Sequence, residues 1–253
     1  MKKRTGRASD ILRDLLFPPK CVGCGQFMQP FLPDPDFLCP LCRTAFLTAG
    51  TGVRSASPAP ENSPDVPLRV SLIEYRPDDP DGVPQRVVYY IKHHNDSRVF
   101  GCLGQALART VRARLHGGTP GVPPADLICA YPPRRAVTAR REGVDQAKAL
   151  CRRTADCLGA PCVPLFRRVG HSRTEQKQLD AAGREAHAAD VYRLDPKRAV
   201  SAAGKTVILV DDLCTTGATL KRLTGLALSA GAVRVVWATV GQTANPLDST
   251  RCL

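Results

Sequence analysis

Asp211 and Asp212 stand together at the end of an apolar run, 207–210, and Thr215-Thr216-Gly217-Ala218-Thr219 follows them. Neighbouring carboxylates packed at a strand end repel each other and lose water, so they call for a hydrogen-bond donor or a cation. The small residues of the threonine–glycine segment let backbone N–H groups close around an anion. Hydroxyls add donors, and a helix starting there adds positive potential. A ligand with vicinal hydroxyls beside a phosphate satisfies both halves, and a ribose 5-phosphate has that form. The plainer alternative is a strand running into a helix capped by Thr215 or Thr216, with both acids solvated. A cap accounts for one threonine but for neither the acid pair nor the glycine. No Gly-x-x-x-x-Gly-Lys loop and no Gly-x-Gly-x-x-Gly turn after a strand is present, which argues against nucleotide triphosphatases and dinucleotide enzymes.

A second constellation is Cys21-x-x-Cys24 and Cys39-x-x-Cys42, with fourteen residues between the pairs. Each pair forms a tight knuckle presenting two thiolates, and two knuckles close a tetrahedral zinc site. Four thiolates fill that coordination sphere and leave no position for a catalytic water, so such a zinc is structural. The alternatives are a redox Cys-x-x-Cys and two chance pairs. The redox reading needs a strand–helix context that this short, proline-rich segment does not offer. Cys102, Cys129, Cys151, Cys157, Cys162, Cys214 and Cys252 lack such pairing and read as small apolar residues.

The elements that must position these groups divide the chain into three parts: residues 1–48, holding an amphipathic lead-in and the four-cysteine module; a Gly/Ser/Thr/Pro-rich linker, 49–68; and an α/β domain, 69–253. The lead-in covers 10–17, with Ile11, Leu12, Leu15 and Leu16, and ends at Pro18-Pro19. Beyond the linker, alternation predicts an opening strand over 69–75. A short helix is marked by Val87, Val88 and Ile91, and a longer one spans 98–115. A strand over 126–131, a helix over 143–158 and a strand over 162–166 follow. The central strand is 205–210, its helix 217–230, and the last strand 232–240. The polar stretch 171–190, between two strands, reads as a disordered segment or a lid. Strand–helix alternation with short loops predicts a doubly wound, mostly parallel sheet. Ligands of such sheets bind outside the carboxyl ends of the strands, where Asp211 and Thr215 fall.

Length and composition bound the classes. At 253 residues and 43% hydrophobic, the chain has room for one α/β domain plus a small module. The net charge of +13 and pI near 9.5 favour polyanions, whether DNA, RNA or pyrophosphate-bearing substrates. The arginines pair as Arg134/Arg135, Arg140/Arg141, Arg152/Arg153 and Arg167/Arg168. Aromatic content of 5% gives little material for stacking single-stranded nucleic acid. No stretch is apolar enough to span a bilayer, and the basic start lacks the apolar core of a signal peptide. A cytoplasmic protein with reduced cysteines is the expectation.

The strand, acid pair and Thr-Thr-Gly loop resemble the fingerprint of type I phosphoribosyltransferases, which bind phosphoribosyl pyrophosphate. Within that group the chain is similar to the ComF/GntX family. The similarity rests on Cys21, Cys24, Cys39 and Cys42; Ile91-Lys92; Tyr131-Pro132-Pro133; Arg140-Arg141-Glu142-Gly143-Val144-Asp145-Gln146; Arg168; Gln176, Leu179 and Arg184; and the acid pair with its loop. The resemblance implies that Asp211 and Asp212 hold ribose hydroxyls, as the catalytic acids. It implies that Thr215, Thr216, Gly217, Ala218 and Thr219 hold the 5-phosphate, and that magnesium accompanies the pyrophosphate. Arg134, Arg140, Arg141 and Lys92 are then candidates for the pyrophosphate, since Pro132 and Pro133 have no amide proton to offer. The implied activity is phosphoribosyl transfer linked to DNA uptake. The alternative is a non-enzymatic regulator of the same ligand, or of a related nucleotide, that contacts single-stranded DNA or a DNA-uptake helicase. The chain departs from the family at Glu142, Val144, His187 and Tyr192, where a second Arg, an aromatic, Asn and Phe are usual.

Overall fold

The structure, a computed structural model, describes residues 16, 18–28, 36–50, 67–115, 123–134, 145–169 and 191–243. In chain order these form α1 (Pro40–Gly50), β1 (Leu68–Tyr75), α2 (Val83–His93), α3 (Ser97–Leu115), β2 (Leu127–Ala130) and α4 (Gln146–Leu158). Then come β3 (Phe166–Arg168), β4 (Tyr192–Leu194), β5 (Thr206–Cys214), α5 (Ala218–Ser229) and β6 (Arg234–Thr243).

Val207, Ile208, Leu209 and Val210 are all without solvent exposure, as a strand covered on both faces requires. Ile208 and Val210 join Val236 and Ala238 of β6 against Val87, Leu103, Leu107 and Leu150 from α2, α3 and α4. Val207 and Leu209 join Val235 and Trp237 against Leu220, Leu223 and Ala227 of α5, with Phe166 and Tyr192. The result is a four-stranded parallel sheet, order β1-β6-β5-β2, with helices on both faces. β3 and β4 form a separate antiparallel pair.

The local chemistry accounts for the element ends. Asp145 caps α4 by accepting the Lys148 N–H at 3.1 Å, and Gly159, with φ 70°, closes it in the left-handed region. A proline at the first turn starts α2, and its turns bury Val87, Val88 and Ile91. α3 and α4 touch at Gly104, where an added Cβ would lie 2.5 Å from the Arg153 Cβ and 3.0 Å from the backbone of Arg153 and Thr154.

Two elements differ from the sequence reading. The expected strand 162–166 is reduced to a single parallel bridge, Cys129 to Cys162, and the ladder begins only at Phe166. Pro164 explains this, because it has no N–H to continue the pairing. The central strand, expected to stop at 210, continues to Cys214 because β6 runs on to Thr243 and keeps pairing with it. The acids therefore lie inside the strand. The lid or disordered stretch 171–190 and the lead-in, apart from Leu16, lie outside the described residues.

The four-cysteine segment packs directly onto the α/β body. Phe37, Leu38 and Phe46 belong to the same buried cluster as Val87 and Ile91. Arg86 Nη1 donates to the Gly23 carbonyl at 3.1 Å, and Arg98 Nη1 to the Asp36 carbonyl at 3.4 Å. α1 extends through residue 50 and β1 starts at Leu68, so both enter the segment read as linker; 51–66 lie outside the described residues. No helix among the described residues is long and apolar enough to cross a membrane.

The contact at Gly104 involves main chain and cannot relax by a rotamer change. Gly104→Ala is expected to cost about 1–3 kcal/mol as the two helices are forced apart. A urea unfolding midpoint equal to that of the unaltered chain would show that they separate without cost.

Candidate functional site

The sequence marks two sites, and the structure assembles a cluster at each. In the first, the Sγ atoms of Cys21, Cys24, Cys39 and Cys42 all lie within 4.8 Å of one another. The Cys24–Cys39 pair is 3.8 Å apart, matching the sulfur–sulfur edge of a tetrahedron with arms of about 2.3 Å. The first knuckle turns through Gly25, at φ 75°, with Gly25 N–H donating to the Cys21 carbonyl at 2.8 Å. Gly23 must lack a side chain, since a Cβ there would lie 2.7 Å from Cys42 Sγ. The second knuckle is the start of α1, with Pro40 at its first position.

The thiols are electrostatically unequal. Burial opposes the Cys21 thiolate, but N–H groups of Cys39, Cys24 and Gly23 outweigh it and bring the thiol down to about 7. The Cys39 N–H reaches that sulfur at 3.2 Å. Burial, reinforced by the neighbouring thiols, pushes Cys42 well up. Such a group keeps protons until a cation displaces them. The donor set fits a structural zinc held by all four sulfurs. Cys39→Ser is expected to lower the bound zinc from one per chain to near zero, read by metal analysis of the purified protein. It should also lower the thermal midpoint; retained zinc would remove the assignment.

The second cluster lies at the carboxyl end of the sheet. β2 ends at Ala130, opposite Leu209, while β5 continues through Asp211 and Asp212 beside β6. The acids thus lie beyond the last β2 pairing, next to the segment Tyr131, Pro132, Pro133 and Arg134 that leaves β2. Asp211 Oδ1 accepts the Asp212 N–H at 2.9 Å, and Asp212 Oδ1 accepts the Leu213 N–H at 2.8 Å. Each acid keeps acceptor capacity for another partner.

Asp211 retains some solvent exposure, yet protein packs closely around its carboxyl group. That desolvation raises its pKa well above the usual range, and the charge of Asp212 adds to the rise. Arg134 and the Asp212 N–H pull the other way without cancelling it. Tyr192 of β4 stands within electrostatic reach of both Asp211 and Arg134 and is hydrogen-bonded to Thr219. Arg168 of β3 lies over the Tyr192 ring, 5.5 Å from its centre, and its Nη1 donates to the Tyr192 hydroxyl at 3.3 Å. The β3–β4 pair therefore brings Arg168 and Tyr192 to the loop that follows β5.

The loop takes its shape from Gly217, which precedes α5 at φ 73°. That conformation disfavours a side chain, and a Cβ there would lie 3.0 Å from the Trp237 ring. Trp237 is fixed in turn by its Nε1–H donating to Thr224 Oγ1 at 2.8 Å and by Arg69 stacked 4.7 Å from its ring. Thr243 Oγ1 donates to the Thr215 carbonyl at 3.2 Å. The N-cap position is Gly217, and the first α5 amide, Ala218 N–H, reaches Thr216 Oγ1 only at 3.5 Å; Thr215 and Thr216 are exposed, and Ala218 and Thr219 are partly buried. With that one long contact, the other amides of the first α5 turn have no intrahelical acceptor and carry the positive end of the helix.

Of the residues singled out by sequence, Asp211, Asp212, Thr215, Thr216, Gly217, Ala218, Thr219 and Arg134 come to this end of the sheet. Lys92, in the last turn of α2, lies by the amino-terminal end of α4, where its carbonyl accepts Gln146 Nε2 at 2.7 Å. Arg140 and Arg141 lie outside the described residues. The support supplied by Trp237 and Arg69 was missed. The single tryptophan of the chain, at strand spacing in 234–243, was the one available signal.

No protein-family model matches the chain, and no curated protein matches it. Among solved structures it is similar to the crystal structure of TT1426 from Thermus thermophilus. The two are 16% identical with a TM-score of 0.32, over 58% of this chain and 84% of that one. A superposition that loose assigns neither fold nor chemistry.

Because the folded pKa of Asp211 exceeds its unfolded value, its contribution to stability is fully present below about pH 4 and is lost as pH rises through the raised value. Asp211→Asn removes that penalty. The variant is expected to melt several degrees higher than the unaltered chain at about pH 8, with little difference at about pH 4. A melting difference independent of pH would mean that the carboxyl group is not desolvated.

Proposed function

We propose that the chain binds phosphoribosyl pyrophosphate with magnesium and transfers its ribose 5-phosphate to a nucleophilic acceptor, as a ComF-like member of the type I phosphoribosyltransferases. The observation that carries this reading is the placement of Asp211, Arg134 and the Gly217 loop together beyond the last residue of β2.

The loop and the first amides of α5 hold the 5-phosphate, with Thr215, Thr216 and Thr219 adding hydroxyl donors. Asp211 and Asp212 accept from the vicinal ribose hydroxyls and fix the ring by the carbonyl end of β5. As the bond to the leaving group breaks, positive charge develops on the sugar, and the two carboxylates favour it. Arg134 offers a planar fork to the departing phosphate oxygens. Magnesium, when bound, would supply charge neutralisation of the departing pyrophosphate. The oxygens left open on Asp211 and Asp212 are the protein donors suited to that hard cation. Ligand binding favours the ionised form of Asp211, so it releases a proton and tightens as pH rises. The four-cysteine zinc joins the amino-terminal segment to the body and takes no part in the chemistry.

Phosphoribosyl pyrophosphate with magnesium is expected to raise the thermal midpoint of the full chain by several degrees. The double variant Asp211→Asn, Asp212→Asn should abolish that shift. Pyrophosphate release measured with a panel of bases and amines then separates transfer from binding alone. A shift without release would make the domain a regulator that senses the ligand. No shift for the unaltered chain would remove the ribose-phosphate reading.

A further inference from the structure

Beside β2, three cysteines outside the four-cysteine cluster converge between β2, α4 and the segment following α4. Cys162 Sγ lies 3.3 Å from Cys151 Sγ, and Cys129 is hydrogen-bonded to Cys151. Cys129 and Cys151 are fully buried, whereas Cys162 is partly exposed. The backbone holds this arrangement in place. Cys129 N–H donates to the Pro161 carbonyl at 2.9 Å, and Val163 N–H donates to the Cys129 carbonyl at 2.7 Å. These bonds dock the Cys162 segment on the outer edge of β2.

We propose that Cys151 and Cys162 are an oxidisable thiol pair, in which Cys162 meets a hydroperoxide and Cys151 closes a disulfide with it. The geometry divides the labour. The accessible sulfur is the one that can be attacked from solvent, and the shielded one lies in contact with it, ready to resolve. Contraction from 3.3 Å to the bonded length of about 2.05 Å moves only a segment bridged to the sheet at one position. The charge environment agrees. The hydrogen bond from Cys151 brings the Cys162 thiol down, the cations Arg152 and Lys148 help, and burial and Asp156 oppose. Burial, together with the other two thiols, pushes Cys151 well up, keeping it protonated.

The steps balance. The Cys162 thiolate attacks the distal oxygen of the hydroperoxide, the O–O bond breaks, and the alkoxide takes a proton and leaves as alcohol or water. Cys162 is now a sulfenic acid. The Cys151 sulfur attacks that sulfur, the S–O bond breaks, and water departs with the Cys151 proton. Both thiols are oxidised by two electrons in total, and the peroxide is reduced by two. The bond forms close to Tyr131, whose hydroxyl feels both sulfurs and which starts the segment leading to Arg134. It would tie α4 to the sheet edge at that point.

The test treats the zinc-loaded full chain with hydrogen peroxide and maps its peptides without reduction. Trypsin cuts after Arg152 and Arg153 and so separates the two cysteines, and the map is repeated in Cys157→Ser because Cys157 shares the tryptic peptide of Cys162. The expected result is a Cys151–Cys162 linked peptide that dithiothreitol removes. In Cys151→Ser, Cys162 should be trapped as a sulfenic acid by dimedone; in Cys162→Ser, Cys151 should stay reduced. The proposal is overturned if Cys162 remains a free thiol while other cysteines oxidise, or if its bridges go only elsewhere. None of these readouts involves the sugar-phosphate ligand, so they stand apart from the functional reading.

Discussion

Parallel pairing between β5 and β6 beyond the end of β2 is the constraint on which the site depends. Were β2 as long as its neighbour, its backbone would occupy the edge beside Asp211 and close it. Because β2 stops opposite Leu209, the next residues of β5 bring two carboxylates to a place bordered by sheet on one side only. Tyr131, Pro132, Pro133 and Arg134 then leave β2 at that level, bringing a guanidinium where the acids need a counter-charge. A strand buried on both faces holds these groups rigidly, and a site built this way needs little from the loops to define its floor.

The raised pKa of Asp211 follows from the same arrangement. A carboxyl group crowded by protein and set beside another acid resists ionisation, and Arg134 offsets that only in part. Ionising it costs stability locally, a cost that a hydrogen-bond donor or cation brought to it would offset. The neighbouring loop shows the same logic in its backbone. Gly217 adopts a left-handed conformation against the Trp237 ring, and α5 begins with only a long Thr216 Oγ1 contact to its first amide.

The four-cysteine segment solves a different problem. Cys21, Met28, Phe37, Leu38, Cys42 and Phe46 are continuous with the core of the α/β body, although α1 is short and its surroundings are rich in turns. Four sulfurs gathered within 4.8 Å are a donor set through which a metal would add cohesion to a segment with few apolar residues. The Arg86 and Arg98 bonds to its carbonyls then fix how it sits on α2 and α3.

Much of this was legible from one dimension. The fully apolar run before Asp211 marks a strand covered on both faces, the two Cys-x-x-Cys pairs mark a four-sulfur cluster, and Gly217 after two threonines marks a turn that no β-carbon suits. Each of these signals is local, because burial, ligand spacing and positive φ impose themselves on adjacent residues. The length of β5 was not legible, since residues beyond 210 are held in the strand by hydrogen bonds to β6 and their own side chains carry no β signal. Nor was the loss of the strand at 162, where Pro164 interrupts a ladder whose partner is itself too short to extend it. The meeting of Tyr192 with Thr219, the Trp237 platform under Gly217 and the contact of Cys151 with Cys162 were decided only by the tertiary structure. They join residues from separate elements, and such contacts follow from how helices and strands stack, a property that spacing along the chain does not encode.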